Sequence, residues 1–407
     1  MKSKPTLTIF YQFNPWRSSI GGIQTIVRSF LKYAPSEFEV RMVGTGNSQE
    51  KLGVWQNREY GGKPIKFMPL IALKDDNTRK AVPTTVKYTS ALLNRNLASD
   101  FMHFHRLEPS MTTLKWRGDK SFFLHNDIQQ QMNSKDAKNG ILWKYFPAGY
   151  FALENSLIKQ FTHIYSCNTQ ATKFYQQRYP QLAQNITYLK NAVDTEIFSA
   201  LHSEEREEKR QILAARLGLA SETRFILFAG RLHPQKDPLL LIRSFAELQE
   251  PNVHLLIAGD GELAQPIKAE IQRCGLSERV TMLGAVVQEE LAELYSIASI
   301  FVLSSVYEGL PVSVLEALAC GTPIVTTDCG ETPKLLKSNS GVVVAERTSQ
   351  AIAAGLSQVL QNPQAYPSNS CTKIAEPYTA KTVIGDVYEC MFARWEQKQA
   401  LSNDRAA

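Results

Sequence analysis

The stretch that decides the fold is 300–330, which reads IFVLSSVYEGLPVSVLEALACGTPIVTTDCG. The apolar residues 300–304 predict a buried strand, and a loop leads from it to Pro311, a residue that suits the first turn of a helix. The helix is predicted to end just before Gly321, which closes it in the usual way. A second buried strand, 323–327, follows. This strand–helix–strand order is typical of an α/β protein with a parallel sheet.

Short β-branched or aromatic runs alternate with longer amphipathic stretches on both sides of this unit. The alternation predicts two series of parallel strands, and therefore two Rossmann-like, doubly wound α/β domains. The strands predicted in the first half are 7–13, 39–43, 101–105, 121–125 and 162–167. Those predicted in the second half are 224–229, 253–258, 280–283, 300–304, 323–327 and 341–344. Since ligands of such folds bind at the carboxyl ends of the strands, we expect a cleft between the two facing domains.

The domain boundary is expected near 188–198, YLKNAVDTEIF, because a strongly charged run follows it and a new α/β series then begins. Two domains of near-equal size are also the simplest division of 407 residues. We therefore expect an N-terminal domain over 1–190 and a C-terminal domain over 191–377. The last segment, 378–407, is predicted to be largely helical and to return to the first domain.

Composition and charge limit the classes of function. Apolar residues make up 43% of the chain and charged residues 21%, which excludes an intrinsically disordered protein. The net charge is +6, and the first 200 residues hold 26 of the 45 basic side chains but only 14 of the 39 acidic ones. A basic first half suits phosphates, an acidic substrate or an anionic membrane, and a scattered solvated face is the alternative. No nucleic-acid-binding module is recognisable, so nucleic acid is not expected as a partner.

Targeting signals and metal motifs are not recognisable. No apolar run reaches the roughly 18 residues of a transmembrane helix. The first residues, MKSKPTLTIFYQF, have only a short apolar run that polar residues interrupt, so they predict a strand and not a signal peptide. A cytoplasmic protein is expected. The six cysteines form no C-x-x-C pair and have no metal-ligand spacing, and we expect buried, reduced thiols.

Two carboxylates flank the predicted start of the helix after Pro311. Glu308 precedes the helix and Glu316 lies on it. Free backbone amides between Gly309 and Val312 would point out of the helix N-terminus, which favours an anion and phosphate above all. Carboxylates accept hydrogen bonds from hydroxyl groups. The segment therefore indicates a ligand that carries both phosphate and hydroxyl groups.

Two cations follow another predicted strand in 228–238, FAGRLHPQKDP. Arg231 leaves the carboxyl end of strand 224–229, and Lys236 lies in the loop before the next helix. Two cations at such a loop suit a diphosphate, and they can neutralise a departing diphosphate without a metal. His233, between them, is expected to be solvated.

Five features fit one pattern: Glu308 and Glu316 as E-x7-E, the Arg231/Lys236 pair, IAGDGE at 257–262, LKNAVDTEIF at 189–198, and Gly21–Gly22 after the first strand. Together they resemble the retaining, nucleotide-sugar-dependent glycosyltransferases of family 4, the group 1 glycosyl transferases, whose fold is GT-B. The resemblance is dense over about 188–344 and looser in the first half. Ala192 stands where the interdomain NGVD element of that family has a glycine, which puts the local turn in question.

The resemblance implies transfer of a sugar from a nucleotide-diphosphate sugar to an acceptor hydroxyl, with retention, in envelope, exopolysaccharide or glycolipid synthesis. It implies no cofactor and no metal, and a saccharide or lipid-linked acceptor. Glu316 would bind the ribose hydroxyls and Glu308 the sugar hydroxyls, while His125, at the end of strand 121–125, would contact the donor sugar. The implied catalytic residues are His125, Arg231, Lys236 and Glu308, and the implied donor-binding residues are Gly22, Gly309, Leu310, Pro311, Val312 and Glu316.

Several alternatives stay open at this stage. A nucleotide-sugar epimerase or hydrolase would use the same scaffold, and so would a non-catalytic sugar-binding protein with the GT-B fold. His103 and His105 either line the cleft or are structural. The aromatic stretch 140–158, which includes Trp143, predicts either a core helix or a surface helix. A surface helix, together with the basic first half of the chain, predicts a peripheral contact with the inner face of the plasma membrane.

Overall fold

Two separate β-sheets, each covered by helices, are present in the computed structural model, which describes residues 4–17, 21–73, 83–125 and 147–404. The first sheet has the strand order β3-β4-β2-β1-β5-β6-β7-β8 and is parallel except for the antiparallel pair β3–β4. Its strands are β1 (Thr6–Phe10), β2 (Glu39–Gly46), β3 (Gln56–Tyr60), β4 (Lys63–Ala72), β5 (Phe101–Phe104), β6 (Asp119–Leu124), β7 (His163–Ser166) and β8 (Ile186–Tyr188).

The second sheet is parallel throughout the described residues, with the order β11-β10-β9-β12-β13-β14. Its strand order reverses at the pair β9–β12, where Phe301 lies beside Leu227. Such a reversal is the point at which open α/β sheets bind their ligands. The strands are β9 (Arg224–Ala229), β10 (Val253–Ala258), β11 (Val280–Gly284), β12 (Ile300–Leu303), β13 (Ile324–Thr327) and β14 (Gly341–Val344).

Helices connect the parallel strands and cover both faces of each sheet. In the first part of the chain they are α1 (Gly22–Lys32), α2 (Thr84–Leu92), α3 (Pro147–Leu157) and α4 (Thr169–Arg178). Those that follow are α5 (Ser203–Arg216), α6 (Pro238–Glu247), α7 (Ala264–Arg273), α8 (Gln288–Ile297), α9 (Val312–Ala319), α10 (Thr332–Leu335), α11 (Ser349–Gln361), α12 (Ser368–Ala375) and α13 (Ala380–Asp404). None of the described helices is both long enough and apolar enough to cross a membrane.

Each sheet has a separate apolar core on each of its two faces. Along β9, Phe225 and Leu227 pack in one core, while Ile226 and Phe228 pack in the other. Successive side chains of a strand point to opposite faces, so a strand with helices on both sides must be apolar at every position. This is why the central strands appear in the sequence as continuous apolar runs.

The last helix returns to the first sheet, as the sequence predicts. Val387 and Tyr388 of α13 are buried in the core of the first domain, and the Tyr388 hydroxyl donates a 2.8 Å hydrogen bond to the Phe30 carbonyl. Near its end, Lys398 forms a 2.5 Å ion pair with Asp119 on β6. The predicted pair of Rossmann-like α/β domains with a returning C-terminal helix is therefore confirmed.

The chain crosses between the two sheets twice, and the two crossing segments are hydrogen-bonded to each other. The Val193 N–H donates to the Tyr378 carbonyl at 2.9 Å, and the Ala380 N–H donates to the Val193 carbonyl at 2.7 Å. The neighbouring Ala192 is fully buried among apolar side chains. Asn94 and Asp237 are the residues other than glycine with positive φ in the described chain, so Ala192 fits its turn without the freedom of a glycine.

The β3–β4 hairpin and β8 are absent from the sequence-based prediction. The hairpin connects Tyr60 directly to Lys63 through Gly61 and Gly62, whose φ values are +55° and +73°. A two-residue turn with positive φ at both positions favours Gly-Gly, so the signal was present in the sequence. Of the aromatic stretch 140–158, residues 140–146 lie outside the described residues.

Candidate functional site

The loops that follow β9 and β12 are joined into one structure. The Val306 N–H donates to the Gln235 carbonyl at 2.8 Å, and the Gln235 side-chain amide donates to the Tyr307 carbonyl at 3.0 Å. The Ser304 hydroxyl lies 2.9 Å from the Lys236 carbonyl oxygen. Because β9 and β12 are neighbours at the strand-order reversal, these bonds hold both loops at the carboxyl edge where a ligand is expected.

Lys236 and Glu308, which the sequence predicts separately, form an ion pair in this structure. Both are largely buried, with 17% of the Lys236 side chain and 7% of the Glu308 side chain exposed. The Ser305 hydroxyl donates a 2.7 Å hydrogen bond to the same Glu308 oxygen, Oε1. The other oxygen, Oε2, has no hydrogen-bond partner among the described residues. Glu308 is therefore held through one of its two carboxylate oxygens.

Close packing of the backbone explains the two glycines in the IAGDGE segment, 257–262. A Cβ atom on Gly259 would lie 1.9 Å from the Gly230 carbonyl oxygen, and one on Gly261 would lie 2.5 Å from the Leu232 oxygen. Hydrogen bonds connect the same chain segments, since the Leu232 N–H donates to the Asp260 carbonyl at 3.0 Å. The loop that carries Arg231, an exposed residue, therefore lies directly against the loop after β10.

The start of helix α9 contacts the first domain. A Cβ atom on Gly309 would lie 3.0 Å from the Cys167 sulfur and 3.4 Å from the His125 carbonyl oxygen. A Cβ atom on Gly22, at the start of α1, would lie 3.4 Å from Cγ2 of Val312. The structure thus brings the predicted residues of the two domains together.

This contact is held in place around Leu310 and Pro311. The Asn191 side-chain amide donates a 2.5 Å hydrogen bond to the Leu310 carbonyl. Pro311 precedes the helix in an extended conformation, with φ −64° and ψ 127°. The amides of the first helical turn are therefore directed at the junction between the domains, where the helix dipole favours an anion.

Glu316, on helix α9, is as buried as Glu308. It is 7% exposed, and the Tyr295 hydroxyl donates a 3.1 Å hydrogen bond to its Oε2. Burial raises the pKa of Glu316 to about 7, and the Tyr295 hydrogen bond only partly opposes that shift. At neutral pH this carboxyl group is therefore divided between its acid and its ionised form.

The raised pKa of Glu316 predicts a pH-dependent loss of stability. The folded state holds the proton up to about pH 7, whereas an unfolded glutamate releases it near its ordinary value, so stability falls between these two pH values. Glu316→Gln does not titrate. We expect its free energy of unfolding, relative to wild type, to rise by about 2 kcal/mol between pH 5 and pH 8. Urea unfolding at both pH values measures this, and Glu289→Gln, on an exposed part of α8, is the control that should show no such change.

His125 is partly buried and forms a pair with His105. Its Nε2 lies 2.8 Å from Nδ1 of His105, and the two rings are stacked 5.1 Å apart. Burial and the charge of Arg106 lower the pKa of His125 to about 3, and burial also lowers the pKa of His105. Both rings are therefore neutral in the physiological range.

His103, His105 and His233 are all held within the protein and are not solvated. His103 is fully buried with its ring edge against Phe30, and His105 is only 3% exposed, so neither lines the cleft. The prediction that His233 is solvated is wrong. Its Nδ1 accepts a 3.1 Å hydrogen bond from the Gln235 N–H, and its Nε2 lies 3.6 Å from Glu262. The ring is part of the framework of the loop.

The second domain is similar in sequence to a known family of proteins. Residues 209–376, which include Arg231, Lys236, Glu308 and Glu316, match the family model described as "Glycosyl transferases group 1". This match covers about two fifths of the chain and shows that the segment 209–376 is similar to that family. The chain is 30% identical over 229 residues to the putative glycosyltransferase EpsF of Bacillus subtilis, a match that covers 54% of this chain and 58% of EpsF. It spans less than two thirds of the length of other curated relatives as well.

Solved structures show that the chain has the GT-B fold. Sucrose-phosphate synthase from Thermosynechococcus elongatus has a TM-score of 0.77 at 17% identity, covering 96% of this chain and 100% of that one. Anabaena HepE in complex with UDP-glucose has a TM-score of 0.72 at 15% identity, with the same coverage. The predicted GT-B fold is therefore confirmed, and the predicted resemblance to the group 1 glycosyl transferases is supported over 209–376.

Several side chains that contact the predicted site residues or connect the two domains were missed by the sequence analysis. Ser305 and Tyr295 bind the two predicted glutamates. Glu331 of the second domain accepts 2.8 Å hydrogen bonds from both the N–H and the hydroxyl of Thr169 in the first domain. These partners are separated in the sequence, apart from Ser305, which lies in the quoted loop next to Glu308.

The six cysteine thiols only partly follow the prediction that they are buried. The six cysteines are all free, and Cys167, Cys320 and Cys371 are buried as expected. Cys274 and Cys329 are half-buried, and Cys390 is exposed. Within the described residues no group of three or more histidine, cysteine or acidic side chains could hold a metal ion.

Proposed function

We propose that the protein is a glycosyltransferase that moves a sugar from a nucleotide-diphosphate sugar to an acceptor hydroxyl, with retention of configuration and without a metal. The observation that carries this proposal is the buried Lys236–Glu308 pair. It lies at the carboxyl edge of the second sheet, where the start of α9 contacts the first domain. We also propose 1–190 with 378–407 as the acceptor side and 191–377 as the donor side, a division that the paired crossings at Val193 and Ala380 support.

The donor is expected to bind mainly to the second domain. Lys236 and Arg231 bind the diphosphate, together with the amides at the start of α9. The free oxygen of Glu308 accepts hydrogen bonds from the sugar hydroxyls, and Glu316 accepts those of the ribose. HepE, which has the same fold, is described in complex with UDP-glucose, and this supports a nucleotide sugar as the donor.

The chemical step requires no nucleophile from the protein. The acceptor oxygen forms a bond to the anomeric carbon on the face from which the diphosphate leaves, and the bond from that carbon to the phosphate oxygen breaks. The acceptor proton passes to the departing phosphate oxygen. Lys236 and Arg231 stabilise the charge that develops there, and the contact between the domains positions the reactants and excludes water.

A nucleotide panel tests the donor site. We expect one of UDP, GDP, ADP and CMP, and its sugar conjugate, to raise the melting temperature of the wild type but not of Lys236→Ala. A ligand at 100 times its Kd contributes about 2.7 kcal/mol, which a thermal shift detects. If none stabilises the wild type, a non-catalytic scaffold becomes the better interpretation. Consumption of a sugar nucleotide without any acceptor would favour an epimerase or hydrolase.

An anionic membrane is the partner that we propose for the first domain, in envelope, exopolysaccharide or glycolipid synthesis at the inner face of the plasma membrane. Helix α2 packs on the short helix Glu108–Thr113, and Arg95 donates a 3.3 Å hydrogen bond to the Gly53 carbonyl, so three segments form one surface. It exposes the apolar side chains Leu52, Val54, Val86, Leu93, Met111 and Leu114. The same segments carry the exposed cations Lys51, Lys87, Arg95, Lys115 and Arg117, and 51–54, 84–95 and 111–117 contain no acidic residue.

Apolar side chains among cations suit an anionic lipid surface. We expect the protein to float with vesicles that contain anionic lipid at low salt, and not with neutral ones. The double variant Leu93→Asp/Leu114→Asp should lose that binding. Ile212→Asp, at a side chain that is 60% exposed on the second domain, is the matched control and should float like the wild type. Equal flotation of all three proteins would contradict the assignment of this surface.

A further inference from the structure

His105 and His125 form one hydrogen bond between their rings, and its direction depends on which ring nitrogens carry hydrogen. Nδ1 of His105 and Nε2 of His125 are 2.8 Å apart, so one of them carries a hydrogen and the other accepts it. Both rings are stacked with Phe123, with ring centroids 4.6 Å apart for His105 and 6.4 Å apart for His125. Two neutral imidazoles in this contact have only two arrangements of their protons.

The surroundings of the second nitrogen of His105 distinguish the two arrangements. Nε2 of His105 is buried and has no hydrogen-bond partner among the described residues. If His125 were the donor, His105 would carry its hydrogen on Nε2 and bury an unpaired N–H. If His105 is the donor, Nε2 is a bare lone pair. Buried unpaired N–H groups are rarer than buried unpaired acceptors, so the second arrangement is favoured.

We infer that His105 is a positioning residue that donates its Nδ1 hydrogen to His125 and thereby fixes His125 in the form that carries hydrogen on Nδ1. His125 then presents a single N–H donor, which suits an oxygen of the donor sugar and not a group that must itself donate. This inference rests on the proposed function for the ligand, but the protonation of the ring is a property of the free protein. It assigns a role to a buried histidine that the transfer chemistry does not otherwise use.

The tautomer is measured first, in the whole protein without ligand. Nitrogen-15 NMR of the labelled histidine rings, with the His125 signal assigned from His125→Gln, should show hydrogen on Nδ1 of His125. His105→Leu should change that pattern, whereas His105→Asn, which keeps an N–H donor near the Nδ1 position, should preserve it. His103→Leu is the matched control, because His103 lies on the same strand, is equally buried, and has no hydrogen-bond partner among the described residues on either ring nitrogen.

Binding provides the second readout, with UDP and UDP-glucose, or the pair that the nucleotide panel selects. His105→Leu should weaken the nucleotide sugar about tenfold and leave the nucleotide diphosphate unchanged, since only the sugar reaches His125. Loss of both would indicate a merely structural role for His105 and overturn the inference. So would a wild-type His125 that carries its hydrogen on Nε2. A wild type that binds no nucleotide would instead contradict the proposed function, and the NMR result would stand separately.

Discussion

Lys236→Ala is expected to lower kcat/KM for sugar transfer by roughly 10²–10³-fold, which corresponds to about 2.7–4 kcal/mol of transition-state stabilisation. The ammonium group is largely buried beside Glu308, where a charge interacts more strongly than it does in water. In the proposed reaction it lies against the departing diphosphate, where negative charge increases as the bond to the anomeric carbon breaks. Initial rates with the nucleotide sugar that the panel selects measure the effect.

Two further variants make this result specific. Lys268→Ala removes an exposed lysine of α7 and should keep the wild-type rate. Because Lys236→Ala also leaves Glu308 as a buried carboxylate without its partner, the double variant Lys236→Ala/Glu308→Gln removes that unpaired charge. The double variant should fold at least as well as the single variant and be no more active than it. Wild-type turnover in Lys236→Ala would show that the leaving group is stabilised elsewhere.

Gly259→Ala is expected to destabilise the second domain by about 3 kcal/mol or more, which lowers its melting temperature by about 6–12 °C. The added methyl group would lie 1.9 Å from the Gly230 carbonyl oxygen, and the φ of +142° is itself unfavourable for alanine. Neither backbone can move freely, because the Gly230 N–H donates to the Ala258 carbonyl at 3.0 Å. Calorimetry or circular dichroism on heating measures the loss.

Gly275→Ala is the control that separates the steric contact from the cost of placing alanine at a positive φ. Gly275 also has a positive φ, +67°, but a Cβ atom there would meet nothing within 4 Å. That variant should therefore lose only the cost of the backbone conformation, about 1–2 kcal/mol. If both variants lost the same stability, close packing between the loops after β9 and β10 would not be the reason for the glycine at position 259.

The fold was predictable because its signal is local. Continuous apolar runs such as 253–258 arise when both faces of a strand are covered, and the helices between them have their own periodicity. The β3–β4 hairpin was missed for the opposite reason. Strand β3, QNREY, lies at a sheet edge and is only half-buried, so its sequence is polar. Such an edge is recognisable only from its turn.

The sequence was sufficient to predict which residues belong to the candidate site, but not which of them contact each other. Lys236 and Glu308 stand out from their places in two loops, but their pairing depends on β9 and β12 being neighbours in the sheet. The same is true of His105 and His125, which meet because β5 and β6 are adjacent. Sheet order is set by the packing of the whole chain, and no local pattern encodes it.

The return of α13 to the first sheet has a consequence for how the chain acquires its structure during synthesis. Phe30 and Phe38 of the first domain pack against Tyr388, which is translated hundreds of residues later. Until the ribosome releases α13, that apolar face lacks its cover and stays open to water or to a chaperone. Strands β9–β14 and the helices between them precede α13 in the chain, so the second domain can be completed before the first. The first domain, whose strands are translated earliest, is completed last.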